Sequence, residues 1–373
     1  MSKVRIRRLA SMLSVSCAAI AMTAIGANAA PDGERVGTWD PAPFIQEGDL
    51  EFYVTQEHGR AARAASSVFY LRRDGAILRV AKPNAITTPR GARSDGAGGV
   101  IFADFGKPAI MRLGSDGKLT SVVSGGLTGP RDVAVDAKGN LAISNFESYQ
   151  NTKQMGIYFY DQSSKSLRTV HRGSPLMWPH GIDIESNGNF VVAEHSGSIL
   201  RITPSGQITT VAKGAPLIGP TDIKVQPDGS YLVADNQMEG IPNAGGSSSD
   251  STVGRMTKLF RVTPDGQITT LNQQYGASFI AIANHPAGGW VVLSSVGSRQ
   301  QGRRSGAGAE ASGASDSTAP DEAKKGKKKG GVGGAEGDGN FTGFLFRLYP
   351  DGRTRPIHSG APFSRPAGVA IVQ

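Results

Sequence analysis

His180 and Glu194 are the pair in this chain whose types and spacing point to acid–base chemistry. His180 follows Pro179 at the start of an apolar run, Gly181-Ile182-Asp183-Ile184, and Glu194 closes a second run, Phe190-Val191-Val192-Ala193. Asn187-Gly188 lies between them and has the composition of a tight hairpin turn. Folding about that turn brings the end of the second run back beside the start of the first, so the imidazole and the carboxylate emerge at one edge. An imidazole there can take or give a proton near neutral pH, and a carboxylate can hold a cation. His195 comes next in the chain and is expected to contact a bound molecule.

The elements that must position these groups recur along the chain. A proline opens each of four successive units, at Pro89, Pro130, Pro179 and Pro220, and a degenerate fifth starts near Ser278-Phe279-Ile280. Internal turns fall at Asp95-Gly96, Lys138-Gly139, Asn187-Gly188, Asp228-Gly229 and Ala287-Gly288. Between turns lie runs of four or five Val-, Ile-, Phe- and Tyr-rich residues, too short for helices. Four short strands repeated every ~40–50 residues predict an all-β, six-bladed β-propeller. The N-terminal unit, with Phe52 to Thr55 as its second strand, lacks a first strand, and the chain ends in Val369-Ala370-Ile371-Val372 with nothing after it. Pairing those two runs closes the ring and removes the open sheet edges.

In this arrangement the second-strand ends, Asp104, Asn145, Glu194 and Asp235, and the first-strand starts, Arg90, Arg131 and His180, ring one mouth of the central channel. His180 and Glu194 are the expected catalytic pair. Arg90, Arg131, Asp104, Asn145 and His195 are expected to bind substrate. Carboxylates converging on a narrow mouth repel one another unless something relieves them. A divalent ion, Mg or Ca, on Glu194, Asp235 and Asn145 would do so, and so would pairing with Arg90 and Arg131.

Composition bounds the alternatives. The chain has 373 residues, 38% of them hydrophobic, enough for a large core. Lys3, Arg5, Arg7 and Arg8 precede an uncharged run that ends at Ala27-Asn28-Ala29-Ala30, so residues 1–30 are expected to be a cleaved secretory signal. The mature protein is then periplasmic or secreted, with no transmembrane segment. The single cysteine, Cys17, lies in that signal, which excludes disulfides and thiolate catalysis afterwards. Losing the four basic residues lowers the formal charge from +9 to +5, too little to imply nucleic-acid binding.

Residues 31–48 are expected to be a loose lead-in and 49–373 the propeller, acting as a monomer. Extra residues follow second strands at Glu147 to Met155, Gln237 to Met256 and Gly297 to Thr342, all on the polar-ring face, which marks it as the binding side. Within the last, residues 299–340 are almost all Gly, Ser, Ala and charged residues and are expected to be disordered. Lys324 to Lys329 there offer a contact for an anionic envelope polymer.

The Gly-Pro starts, the Asn-Gly or Asp-Gly turns and the Arg-Ile-Thr-Pro-Xaa-Gly second turn resemble NHL-type propellers, most closely the virginiamycin B lyase family. That resemblance implies opening of a cyclic lactone by elimination, with a magnesium ion and a histidine base that begins an inner strand while a glutamate ends the next. His180 and Glu194 match those two places. Arg131 stands where the family has a second histidine, and Trp178 where it has an acidic residue. The chain is also similar to the regucalcin and gluconolactonase propellers, whose Asn and Asp calcium ligands lie at first-strand starts; Arg131, His180 and Thr221 stand at those places here, so that calcium site is not reproduced. A propeller that binds a ligand or an envelope protein without catalysis uses the same face.

Overall fold

The computed structural model describes residues 31–42, 50–57, 66–81, 84–146, 155–237, 256–297 and 341–372. These form six antiparallel sheets arranged as a six-bladed propeller. Blade 1 holds β1 (Glu34–Thr38), β2 (Glu51–Gln56), β3 (Ser67–Leu71) and β4 (Ala76–Ala81). Blade 2 holds β5 (Pro89–Ser94), β6 (Val100–Asp104), β7 (Ala109–Leu113) and β8 (Leu119–Ser124). Blade 3 holds β9 (Pro130–Val135), β10 (Leu141–Asn145), β11 (Gly156–Asp161) and β12 (Ser166–Arg172). Blade 4 holds β13 (Pro179–Ile184), β14 (Phe190–Glu194), β15 (Ser198–Ile202) and β16 (Ile208–Lys213). Blade 5 holds β17 (Pro220–Val225), β18 (Tyr231–Gln237), β19 (Met256–Val262) and β20 (Ile268–Tyr275). Blade 6 holds β21 (Ala277–Asn284), β22 (Trp290–Gly297), β23 (Phe341–Leu348) and β24 (Thr354–Ser359), and β25 (Pro366–Val372) completes the chain.

β25 is the inner strand of blade 1. It pairs with β2 as expected, with Val54 opposite Val369 and Phe52 opposite Ile371, and so closes the ring. One expectation needs correction. The lead-in is not loose over Glu34–Thr38, because β1 pairs with β4 and makes blade 1 five-stranded, while the Trp39 ring is buried against Phe52. An outer strand with free ladder groups and the buried indole outweigh the prolines around it. The signal, the three long connections and the lysine run lie outside the described residues. Among the described residues no helix is long and apolar enough to cross a membrane.

The core explains the order. Second strands such as β14 are buried at every position, because each blade is covered on both faces by its neighbours. Phe190, Val192, Leu200 and Ile202 of blade 4 pack with Ala142 and Ile157 of blade 3, while Val191, Ala193 and Ile199 pack with Ile223, Val233 and Phe260 of blade 5. Each tight turn needs a left-handed residue, which glycine provides at least cost: Gly188, at φ +85°, donates to the Glu185 carbonyl at 2.8 Å. These rigid sheets hold the six inner strands, β25, β5, β9, β13, β17 and β21, side by side around the channel.

Candidate functional site

Every inner strand is bulged near its start. In β13, Pro179 pairs with Glu194 but the next pair is Ile182 with Val192, so His180 and Gly181 are squeezed out of register. The same shift occurs at Arg90, Arg131, Thr221, Ile280 and Ala367. A bulge re-aims the side chain it carries. All six of these residues line one cavity of about 370 Å³ at the channel mouth.

In blades 1 to 5 the residue after Gln56, Asp104, Asn145, Glu194 and Asp235 forms a further partial ring. Glu57, Phe105, Phe146, His195 and Asn236 each donate a backbone N–H to the carbonyl two residues before the bulge residue, at Arg365, Thr88, Gly129, Trp178 and Gly219. Glu57, His195 and Asn236 reach the cavity, and Phe105 and Phe146 carry the Arg131 guanidinium on their faces at 5.7 and 5.3 Å.

The strand-end residues themselves point elsewhere, because side chains alternate along a strand. Asp104 accepts from the N–H groups of Thr87 (2.8 Å) and Thr88 (2.7 Å). Asn145 Oδ1 accepts from Thr128 and Gly129, both at 3.0 Å, and Asp235 from Ile218 (2.9 Å) and Gly219 (3.1 Å). Glu194 accepts from Met177 (3.1 Å) and from Trp178. All four are buried, cap the loop that enters their own blade, and lie outside the cavity lining. Burial pushes the Glu194 carboxyl up to about 7 and that of Asp235 to about 6, against the lowering effect of their backbone donors.

The structure thus brings Arg90, Arg131, His180 and His195 together and leaves Asp104, Asn145, Glu194 and Asp235 in four separate blades. The proposed ligand set Glu194, Asp235 and Asn145 does not fit a divalent ion, since each group's acceptor oxygens are directed at backbone N–H groups. Among the described residues, no three His, Cys, Asp or Glu side chains cluster closely enough to hold one.

One wall of the cavity is a stack. His180 and His195 lie parallel, 4.6 Å between centroids, and Trp178 follows at 5.5 Å from His195. Arg131 Nη2 is 2.6 Å from His180 Nε2. A guanidinium only donates, so His180 Nε2 is the acceptor and the ring is neutral. Burial lowers the His180 pKa well below 6.5, and the charges of Arg131 and Arg90 lower it further. His195 Nδ1 faces the Pro220 carbonyl at 3.3 Å, an acceptor, which places the proton on Nδ1 and the lone pair on Nε2. Burial lowers its pKa too. Arg90 pairs with Glu57 at 2.6 Å.

Below the mouth the channel is filled with charge that sequence reasoning missed. Asp132 and Asp222 face the cavity floor. Arg93 bonds Asp132 (2.8 Å) and approaches Asp222 (3.6 Å), and Lys224 bonds Asp222 at 2.5 Å. The acids also stitch blades together: Asp132 accepts from Ile182, Asp183 from Val225 and Asp222 from Ile282. The one available signal was the alternation Gly91, Asp132, Gly181, Asp222 two residues after each opening proline.

No protein-family model matches the chain, and no curated protein sequence matches it. Solved structures do. The nidogen/laminin complex includes a chain 11% identical, matched over 87% of this chain and 98% of that one with a TM-score of 0.56. A protein of unknown function from Bacteroides caccae is 11% identical over 87% of this chain and all of its own (100%), with a TM-score of 0.54. Virginiamycin B lyase from Staphylococcus aureus is 20% identical over 56% of this chain and 64% of that one, with a TM-score of 0.41. At these identities the likeness is one of fold. The chain is a six-bladed β-propeller, similar in fold to the matched chains of the nidogen/laminin complex and of the Bacteroides caccae protein.

Proposed function

We propose that the cavity at the channel mouth binds a small lactone or ester and opens it by elimination, with His195 as the base. The observation that carries this is the Nδ1 contact with the Pro220 carbonyl, which leaves Nε2 of a neutral imidazole as the basic atom in a cavity that Arg90 and Arg131 also line. In the reaction a proton passes from carbon to His195 Nε2 and its electron pair becomes a carbon–carbon double bond. The neighbouring C–O bond breaks, and the carboxylate that departs needs no proton. Arg131 and Arg90 receive that negative charge, which develops in the transition state. His180, held neutral by Arg131, supports the base by stacking. Hydrolysis is the less favoured alternative, because a leaving alkoxide needs an acid and Glu57, the carboxylate that reaches the mouth, is held by Arg90 and Arg365.

The signal-like start supports action outside the cytoplasm, which N-terminal sequencing of the exported protein would test. A panel of lactones and cyclic depsipeptides tests the reaction. Product with a new double bond and unchanged mass is expected, abolished by His195→Gln. Product that has gained water, or turnover undiminished in His195→Gln, would overturn the assignment.

A further inference from the structure

The six bulge residues around the mouth are not distributed evenly. Going round the ring they are Arg90, Arg131, His180, Thr221, Ile280 and Ala367, one from each consecutive inner strand. Three cationic or imidazole groups therefore occupy blades 2 to 4, and two apolar groups occupy blades 6 and 1. In a six-membered ring the third neighbour lies opposite, so Arg131 faces Ile280 and His180 faces Ala367 across the channel. Met256, Ala277 and Ala281 extend the apolar side, which also carries Ser278 and the arginine-paired Glu57, while Trp178 and His195 extend the polar one.

The floor does not offset this asymmetry. The Asp222 carboxylate facing it is engaged by Lys224 and the Ile282 N–H, and Asp132 Oδ2 by Arg93 and the Ile182 N–H, while Asp132 Oδ1 has no hydrogen-bond partner among the described residues. The Thr221 hydroxyl donates to the Phe279 and Ala234 carbonyls. The ligand is therefore discriminated at the level of the ring, where one side favours negative charge and the opposite side disfavours any polar group left without a partner.

We infer that the ligand is an amphipathic carboxylate or carboxylic ester whose polar end lies on Arg131 and whose apolar body lies across the channel mouth against Ile280 and Ala367. This rests on the anion-receiving role given to Arg131 above but not on catalysis. A hydroxylated, sugar-like acid of the same size is disfavoured by Ile280 and Ala367, which offer no partner for its hydroxyls.

Binding of simple carboxylates to the purified full chain tests it by NMR titration. Across acetate, butyrate, hexanoate and phenylacetate the affinity is expected to rise about fourfold per buried methylene, while glycolate and gluconate gain nothing over acetate. Ile280→Thr and Ala367→Ser, each checked for a native fold by circular dichroism, should flatten the series without changing acetate binding. Arg131→Gln should weaken every carboxylate alike. Equal affinity across the series, tighter binding of gluconate, a slope unaltered in both wall variants, or no carboxylate binding at all would overturn the inference. If the series persists in His195→Gln while no lactone is opened by the wild type, the apolar wall stands and the elimination reading falls.

Discussion

The imidazoles of His180 and His195 lie face to face, 4.6 Å apart and 6° from parallel, although one comes from the bulge of β13 and the other from the residue after β14. Burial lowers both pKa values, and neighbouring arginine charge deepens the effect at His180. In the unfolded chain each ring takes a proton near 6.5. The native state binds fewer protons below that value, so stability is expected to fall as pH drops through 6.5 and on towards the lower native values. Thermal unfolding across pH, compared with His180→Gln and His195→Gln, checks this. The acid limb of kcat/KM should likewise lie below pH 6.5.

Arg131 supports the site twice, as a donor to His180 and as a cation at the mouth. Arg131→Gln is expected to raise the His180 pKa, read by the imidazole proton shifts, and to cut turnover by about 10²–10³ through loss of charge stabilisation. Arg131→Lys should restore only part of the rate, because an ammonium cannot lie on Phe105 and Phe146 as the guanidinium does.

Glu194 should behave as a structural cap. Glu194→Ala leaves the Met177 and Trp178 N–H groups without their acceptor and is expected to cost about 2–5 kcal/mol in denaturant unfolding. Its native pKa is raised from 4.5 to about 7, so the native state binds the extra proton between those values and stability from this group is lost as pH rises through them. Glu194→Gln should abolish that segment of the pH dependence. Because the carboxylate faces backbone donors, chelators and added Mg or Ca should leave the melting temperature unchanged.

Gly181 lies against Asp222 so closely that a Cβ would be 2.5 Å from the Asp222 Cα. Gly181→Ala therefore requires a backbone shift between blades 4 and 5, at an expected cost of about 1–3 kcal/mol. Stacking of the adjacent His180 should be disturbed with it, visible in imidazole chemical shifts.

Removing residues 366–373 takes away the inner strand of blade 1, including buried Val369, Ala370 and Val372, and exposes the edge of β2. The melting temperature is expected to fall by about 10 °C or more, with aggregation, since several kcal/mol of burial is lost and an unpaired edge is created.

The repeat of short strands, the glycine turns and the complementary halves of blade 1 are local signals, and they determined the six-bladed ring and its closure from sequence alone. They also determined that Arg90, Arg131, His180 and His195 belong to one mouth. What they could not carry is direction within that mouth. Asp104, Asn145, Glu194 and Asp235 are one residue too early to face the channel, and a period of two turns a one-residue offset into the opposite face. Whether such a residue caps a loop or meets a ligand depends on backbone donors from another turn. In blade 6 the same place is Ser294, and the longer pairing of β21 with β22 takes over the ladder instead. The Asp132 and Asp222 floor and the polar and apolar sides of the ring arise only when six bulged strands close around one axis. Only the tertiary structure decides them, because each depends on distances between blades far apart in the chain.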